Sequence, residues 1–247
     1  MNAMGNKIAV LIMVRDEAKL LPEVLHQYEQ QTVFDRLKFS FLEGDSKDNS
    51  YDIVQKWCKK YPNQTELTKF DVGAPKWGLD RPRALVNLGM LLRNYHLDSI
   101  RNNPWYADCG KIMILDADYL FKDGPKFMEN MDKISDQYPT ALIAPTPMLQ
   151  DGRFYDVWCF YKNGREFVND KPHYPGLFDE PQKNLFPVDS VGACYIFWKE
   201  HLQGLKYILP PEGRCVNTGF CIMAQKLGMD VYMDKDIVIY KHGKYGG

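Results

Sequence analysis

The sequence has almost no net charge: 31 lysines and arginines stand against 32 aspartates and glutamates, leaving −1 over 247 residues. Such a balance offers no broad field for nucleic acid or anionic lipid, so neither is an expected partner. There is no apolar run of the ~20 residues that a membrane helix needs, and mean hydropathy is −0.41. Residues 1–7 lead straight into a strand-like run, too short and too early for a signal peptide or membrane anchor; a cytoplasmic protein is expected. Six cysteines, Cys58, Cys109, Cys159, Cys194, Cys215 and Cys221, form no Cys-x-x-Cys pair. That excludes the usual zinc spacing, and because a chain this long folds without covalent help, all six are expected to be reduced, mostly structural thiols. Internal repeats, low-complexity tracts and a convincing linker are also missing.

What is present is an ordinary globular composition, 45% hydrophobic and 26% charged, long enough for a single α/β domain with a sizeable core. Residues 8–14 form a continuous, partly β-branched apolar run that reads as a buried strand. Leu20, Leu21, Val24, Leu25 and Tyr28 follow at helical spacing, with Pro22 tolerable in the first turn. Residues 37–42 give a second strand. After the polar stretch 43–50, Asn49 resembles a helix N-cap ahead of Ile53, Val54 and Trp57. A third strand at 66–70, a helix from Pro82 to about residue 95, a helix at 124–137 and a strand at 141–145 continue the alternation. Strand-helix alternation predicts a doubly wound, mostly parallel sheet.

Residues 111–121 carry the strongest chemical signal. The run Ile112-Met113-Ile114-Leu115 has no polar alternation, as in a strand covered on both faces, and it ends in Asp116-Ala117-Asp118. Ligands of open α/β sheets gather beyond the carboxyl ends of the strands. Two hard carboxylates there suit Mg2+ or Mn2+, which in turn neutralises a diphosphate. Arg81 and Arg83, flanking Pro82 at a helix start, make a second candidate anion site.

The second half is mixed. Residues 153–161 are rich in aromatics and read as a strand or ribbon; residues 162–187 carry four prolines and read as a long functional loop. Residues 188–198 are strand-like and 219–227 helical, with a stop at Gly228, and short strands are expected at 231–233 and 237–240.

The strand at 8–14 followed by Arg15-Asp16-Glu17, the strand ending in Glu-Gly-Asp-Ser-Lys-Asp-Asn-Ser, and Leu-Asp-Ala-Asp resemble the nucleotide-sugar half of a GT-A glycosyltransferase. Val-Gly-Ala-Cys-Tyr-Ile-Phe at 191–197 and Thr-Gly-Phe-Cys-Ile-Met-Ala-Gln-Lys-Leu-Gly-Met at 218–229 are similar to the fungal Golgi α-mannosyltransferase subunits and the cryptococcal capsule α-mannosyltransferase family. The resemblance spans residues 7–242. It implies a GT-A type, Rossmann-like α/β domain with a nucleotide-sugar half at 7–122 and an acceptor half at 123–247. It further implies that Asp118 binds the metal directly, with Asp116 near the ribose or a metal-bound water, and that His242 is a second metal ligand. Imidazole beside carboxylate favours Mn2+ over Mg2+. Arg15, Asp16, Glu17 and Asp45 fall where this fold holds base and ribose, and Arg81 or Arg83 where a guanidinium reaches the diphosphate.

The activity so implied is transfer of a hexose, mannose first, from GDP-mannose or a UDP-sugar to a hydroxyl of a glycan or glycoconjugate. Inverting relatives carry a basic carboxylate near the start of the late helix, where this chain has Asn217. An amide cannot take the proton. Either Asp189 or Glu212 acts instead, or configuration is retained and the leaving phosphate is the base, as the resemblance to α-mannosyltransferases implies. Asp156 and Trp158 are candidates for the acceptor site, and residues 162–187 for an acceptor loop or lid. The rivals are a sugar nucleotidyltransferase, disfavoured because Arg15-Asp16-Glu17-Ala18 lacks the glycines of a phosphate loop, and a non-catalytic carbohydrate-binding protein, which Asn217 favours.

Overall fold

The computed structural model describes residues 5–75, 82–155, 159–162, 165–166, 184–192, 194–212 and 214–241. The strands are β1 (Lys7–Val14), β2 (Leu37–Glu43), β3 (Thr65–Lys69), β4 (Cys109–Asp116), β5 (Tyr119–Phe121), β6 (Ala141–Leu149), β7 (Tyr161–Lys162), β8 (Arg165–Glu166), β9 (Leu185–Pro187), β10 (Cys194–Trp198) and β11 (Asp230–Lys241). The helices are α1 (Leu21–Glu29), α2 (Ser50–Lys60), α3 (Arg83–Arg101), α4 (Phe127–Gln137) and α5 (Val216–Lys226). One sheet runs in the order β3-β2-β1-β4-β10-β6-β11-β5, with β9 also on β11, while β7 and β8 pair separately. From β3 to β4 all pairings are parallel. Beyond β4 the sheet is mixed: β10 lies antiparallel to β4 and β6, β6 parallel to β11, and β11 antiparallel to β5 and β9.

Strand alternation divides the core in two. Ile8, Val10, Ile12 and Val14 of β1 face Val24 and Tyr28 of α1, Trp57 of α2 and Met131 of α4. Ala9 and Leu11 of the same strand face Val86, Leu97 and Ile100 of α3 and Phe220 and Ala224 of α5. Helices therefore cover both faces, the reason a strand such as β2 is buried along its whole length. This is the doubly wound α/β arrangement expected from the alternation.

Several boundaries differ from those expected. The strand expected to stop at residue 145 runs on to Leu149 through two prolines; β10 meets β6 only at Ile196–Ile143, so the missing N–H groups of Pro145 and Pro147 cost no bond to β10. The two short strands expected at 231–233 and 237–240 are one, β11, whose register against β6 shifts between Asp234 and Val238. Helix α3 continues to Arg101, and α5 begins at Val216 rather than residue 219. Asn49 occupies the α2 N-cap but its side chain makes no capping bond; Asp48 Oδ1 accepts from the Ser50 N–H and hydroxyl instead. Of the ribbon expected at 153–161, the described part shows isolated bridges from Phe154 to Met148 and from Tyr161 to Ser190, and only its last residue, Tyr161, enters a strand, the two-residue β7. The strand expected over 188–198 is confined to Cys194–Trp198.

The expectation of six reduced thiols is overturned. Cys159 and Cys215 form a disulfide across 56 residues of sequence, a pairing invisible to a search for short Cys-x-x-Cys spacing. The other four cysteines are free. No described helix is long and apolar enough to cross a membrane.

Candidate active site

The parallel strands β1, β2 and β4 deliver Arg15, Asp45 and Asp116 to one edge of the sheet. Their loops are sewn together. The Asp16 N–H donates to Ser46 Oγ at 3.0 Å, the Glu17 N–H to Ser50 Oγ at 2.7 Å and the Ala18 N–H to Asp48 Oδ2 at 2.9 Å. In return the Lys47 N–H donates to Asp16 Oδ1 at 2.7 Å. Asp16 and Asp45 both sit at positive φ, 53° and 59°, a region Asp tolerates better than most residues and one in which backbone strain tends to mark functional edges. Between Glu43 and Asp45 the chain needs Gly44, since a Cβ there would stand 2.2 Å from the Phe70 carbonyl oxygen.

Asp45 folds the next loop. Its carboxylate accepts from the N–H groups of Val72, Gly73 and Ala74 at 2.8–3.1 Å. Burial alone pushes its pKa up, but the three donors outweigh it and the net shift is downward. Arg15 reaches the same loop, donating from Nη2 to the Ala74 carbonyl at 2.5 Å, while its buried Nε lacks a hydrogen-bond partner.

Below these loops lies a cavity of about 360 Å³, within the range of small-molecule sites. Arg15, Asp16, Glu17, Gly44 and Asp45 line one side, Arg93 the helix side, Asp116, Ala117, Asp118 and Tyr119 the floor, and Tyr155, Cys159, Cys215, Asn217 and Lys241 the far wall. Both acids of the Asp-x-Asp pair face cations. Arg93 Nη2 donates to Asp116 Oδ1 at 2.8 Å, and the guanidinium lies 5.6 Å from the Tyr207 ring centre. Burial disfavours the Arg93 charge, yet the Asp116 carboxylate prevails and its pKa is raised. The Lys241 ammonium pairs with Asp118 Oδ2. Asp118 Oδ1 is buried without a partner, as is Asn217 Oδ1.

Asn217 lies in the first turn of α5, and the adjacent Cys215 ties that helix start to the Cys159 segment. The helix also packs unusually close to the chain before it: a Cβ on Gly219 would meet the Ile208 carbonyl oxygen at 1.9 Å. The start of α5, and with it Asn217, is therefore held on two sides.

Among the described residues no three His, Cys, Asp or Glu side chains converge as a ready-made metal site. The donor set nonetheless fits a Mn2+ or Mg2+ ion that takes its remaining ligands from phosphate and water, because such ions are commonly held by one or two carboxylates beside a substrate phosphate. The bare Asp118 Oδ1 is the oxygen available for it.

The structure thus brings together Arg15, Asp16, Glu17, Asp45, Asp116, Asp118 and Asn217. It does not bring Arg83, Asp189 or Glu212 to the cavity wall. Arg83 donates to the Pro210 carbonyl at 2.5 Å, Asp189 is half-buried beside α5 with its carbonyl accepting from Gln225, and Glu212 is exposed. Arg81, Asp156, Trp158, His242 and most of the 162–187 segment lie outside the described residues. Two charged cavity residues escaped the reading of the sequence, Arg93 and Lys241. Each left a trace: Arg93 falls on the buried stripe of α3 with Val86, Gly89, Leu97 and Ile100, and Lys241 alternates with the buried Ile237 and Ile239 on β11. A charge in an apolar stripe is the signal to follow.

The sequence matches no protein-family model and no curated protein. Solved structures are similar in fold. Mannosyltransferase PcManGT of Pyrobaculum calidifontis, solved with GDP-Man and Mn2+, superposes with a TM-score of 0.58 at 13% identity over 98% of this chain and 58% of its own. TarS of S. aureus gives 0.58 at 14% identity over 96% of this chain and 37% of its own. Its 1–349 fragment with UDP-GlcNAc gives 0.56 at 13% identity over 98% and 60%. The chain therefore spans between about a third and three-fifths of the length of these structures.

Proposed function

We propose that the chain is a metal-dependent glycosyltransferase that binds a nucleoside-diphosphate sugar in this cavity and moves its hexose to a glycan or glycoconjugate hydroxyl. The observation that carries this reading is the pairing, on the floor of a 360 Å³ cavity, of Asp116 and a half-bare Asp118 at the end of a buried strand. Mannose from GDP-mannose is the first choice of donor and a UDP-sugar the second. That order rests on the resemblance of the sequence to α-mannosyltransferases; the fold similarity to structures solved with GDP-Man and Mn2+ or with UDP-GlcNAc supports a nucleotide-sugar donor of either kind.

The roles follow from the geometry. The loops carrying Arg15, Asp16, Glu17 and Asp45 form the wall for base and ribose; Arg15 Nε, 4.0 Å from Asp16 Oδ2 and without a hydrogen bond, adds a donor there. Arg93 fixes the rotamer of Asp116 against the cavity floor. Asp118 offers Oδ1 to Mn2+, which when bound supplies positive charge to the departing diphosphate. Asn217 Oδ1, buried and unpaired, accepts a hydrogen bond from a sugar hydroxyl but takes no proton. At the α5 end the described cavity wall offers an amide where an inverting enzyme needs a carboxylate, which supports retention with the leaving phosphate as base.

Titration calorimetry of GDP-mannose, UDP-glucose and the free diphosphates, each with and without Mn2+, tests the donor site. A Mn2+-dependent signal for one nucleotide is expected. Turnover releasing free nucleoside diphosphate supports the transferase, release of pyrophosphate favours a nucleotidyltransferase, and no binding to any of them overturns the reading.

A further inference from the structure

Lys241 ends β11, opposite Tyr119 of β5. Its ammonium sits on Asp118 Oδ2 and over two aromatic faces, 5.0 Å from the Tyr119 ring centre and 5.5 Å from that of Tyr155. Both partners of the ion pair are largely shielded, with side chains 14% and 18% exposed. Aromatic faces and a carboxylate together make a site shaped for one cation. The other oxygen of the same carboxylate is the one left for a divalent ion. A monovalent and a divalent cation on two oxygens of one carboxylate repel each other, the more so where the side chains are largely shielded from water.

We propose that Lys241 is a resident cation of the donor site that competes with the divalent metal for Asp118 and passes to the donor's diphosphate when metal and nucleotide bind together. The inference rests on the reading above, its first half on the metal role of Asp118 and its second half on the donor site. In the nucleotide-free protein the ammonium balances Asp118 and keeps metal affinity low. An incoming diphosphate offers the lysine a new anionic partner, so metal and nucleotide each favour the other. Such reciprocity is a coupling free energy between two ligands, ordinarily a 5- to 150-fold effect. Arg93 cannot substitute for Lys241, because its guanidinium is already committed to Asp116.

The test is K241M, in which methionine keeps an unbranched chain across the two tyrosine rings and removes the charge, with K241R as the conservative control. Mn2+ affinity is measured without nucleotide, by the electron paramagnetic resonance signal of free Mn2+. GDP and UDP affinity is measured separately at saturating Mn2+, after thermal unfolding has shown the variants folded. K241M is expected to bind Mn2+ about tenfold more tightly and the diphosphate about tenfold more weakly, with K241R restoring the latter. Weaker or unchanged Mn2+ binding by K241M overturns the competition and leaves Lys241 a structural partner of Asp118. If the wild-type chain binds neither GDP nor UDP under any condition, the donor reading fails, while the Mn2+ titration still decides whether lysine and metal compete.

Discussion

Replacing Arg93 by methionine removes the cation that holds Asp116 and nothing else of similar size. The contact is a single hydrogen-bonded ion pair of 2.8 Å between side chains 14% and 27% exposed. Breaking a fully buried pair by deleting one partner costs roughly 3–5 kcal/mol, because the other charge is stranded. Asp116 opens on a cavity that water can enter, which relieves part of that penalty, and the loss is set at about 2–3 kcal/mol. Methionine retains contact with Tyr207 but forfeits a cation–π attraction of about 1 kcal/mol. Separating the two contributions needs a double-mutant cycle: Arg93→Met, Asp116→Asn and the pair, each unfolded in urea at neutral pH. Once Asp116 is uncharged, Arg93→Met strands no anion, so a coupling of about 1–2 kcal/mol is expected between the two sites. A coupling below about 0.5 kcal/mol, the scatter expected of independent residues, would refute the view that Arg93 exists to hold Asp116. The same cycle read in diphosphate affinity shows whether the fixed rotamer matters to the ligand.

Asp118→Ala is expected to abolish metal-dependent nucleotide binding while leaving the chain folded, at a cost of about 2–3 kcal/mol in urea because it strands the shielded Lys241 ammonium; undiminished Mn2+-dependent binding would show that Asp118 holds no metal. Replacing both Cys159 and Cys215 by serine opens a loop of 56 residues, for which chain entropy predicts a loss of about 4 kcal/mol. An unchanged melting temperature under dithiothreitol would show that the bond does not form in solution. His96 is buried against Ser40, and burial, with the nearby Arg93 charge second, pushes its pKa down from 6.5 to about 3. Below pH 6.5 the unfolded chain takes a proton that the native chain refuses, so this contribution to stability is intact above pH 6.5 and lost as pH falls toward 3, at about 1.4 kcal/mol per unit. His96→Gln should flatten the acid limb by ~2 kcal/mol between pH 7 and 5, and a parallel limb in the variant would count against the assignment. Gly219→Ala should destabilise far beyond an ordinary surface change, because the 1.9 Å approach of the Ile208 carbonyl forces α5 to move; a variant of native stability would show that the approach is looser.

Much of the fold could be read along the chain because its signals are local. The apolar runs of β1, β2, β4 and β6 and the helical spacing of α1, α2 and α4 depend on neighbours within a few residues, and a strand ending in Asp116-Ala117-Asp118 announces its edge. Two of the boundaries that slipped depended on a second strand: Pro145 and Pro147 cost β6 no bond to β10, which meets it only at Ile196–Ile143, and the two C-terminal strands are one because β6 tolerates a shifted register.

The sequence by itself determined the chemistry available: two carboxylates one residue apart, a polar loop after each early strand, and an amide rather than a carboxylate at position 217. Tertiary structure alone decided how that chemistry is paired. Arg93 meets Asp116 across 23 residues, Lys241 meets Asp118 through the pairing of β11 with β5, and Cys159 finds Cys215 across 56. None of these separations has a period or a motif. They are set by which strands lie side by side in a nine-stranded sheet, and side-by-side order is fixed by burial on both faces at once, a property no short stretch of sequence contains.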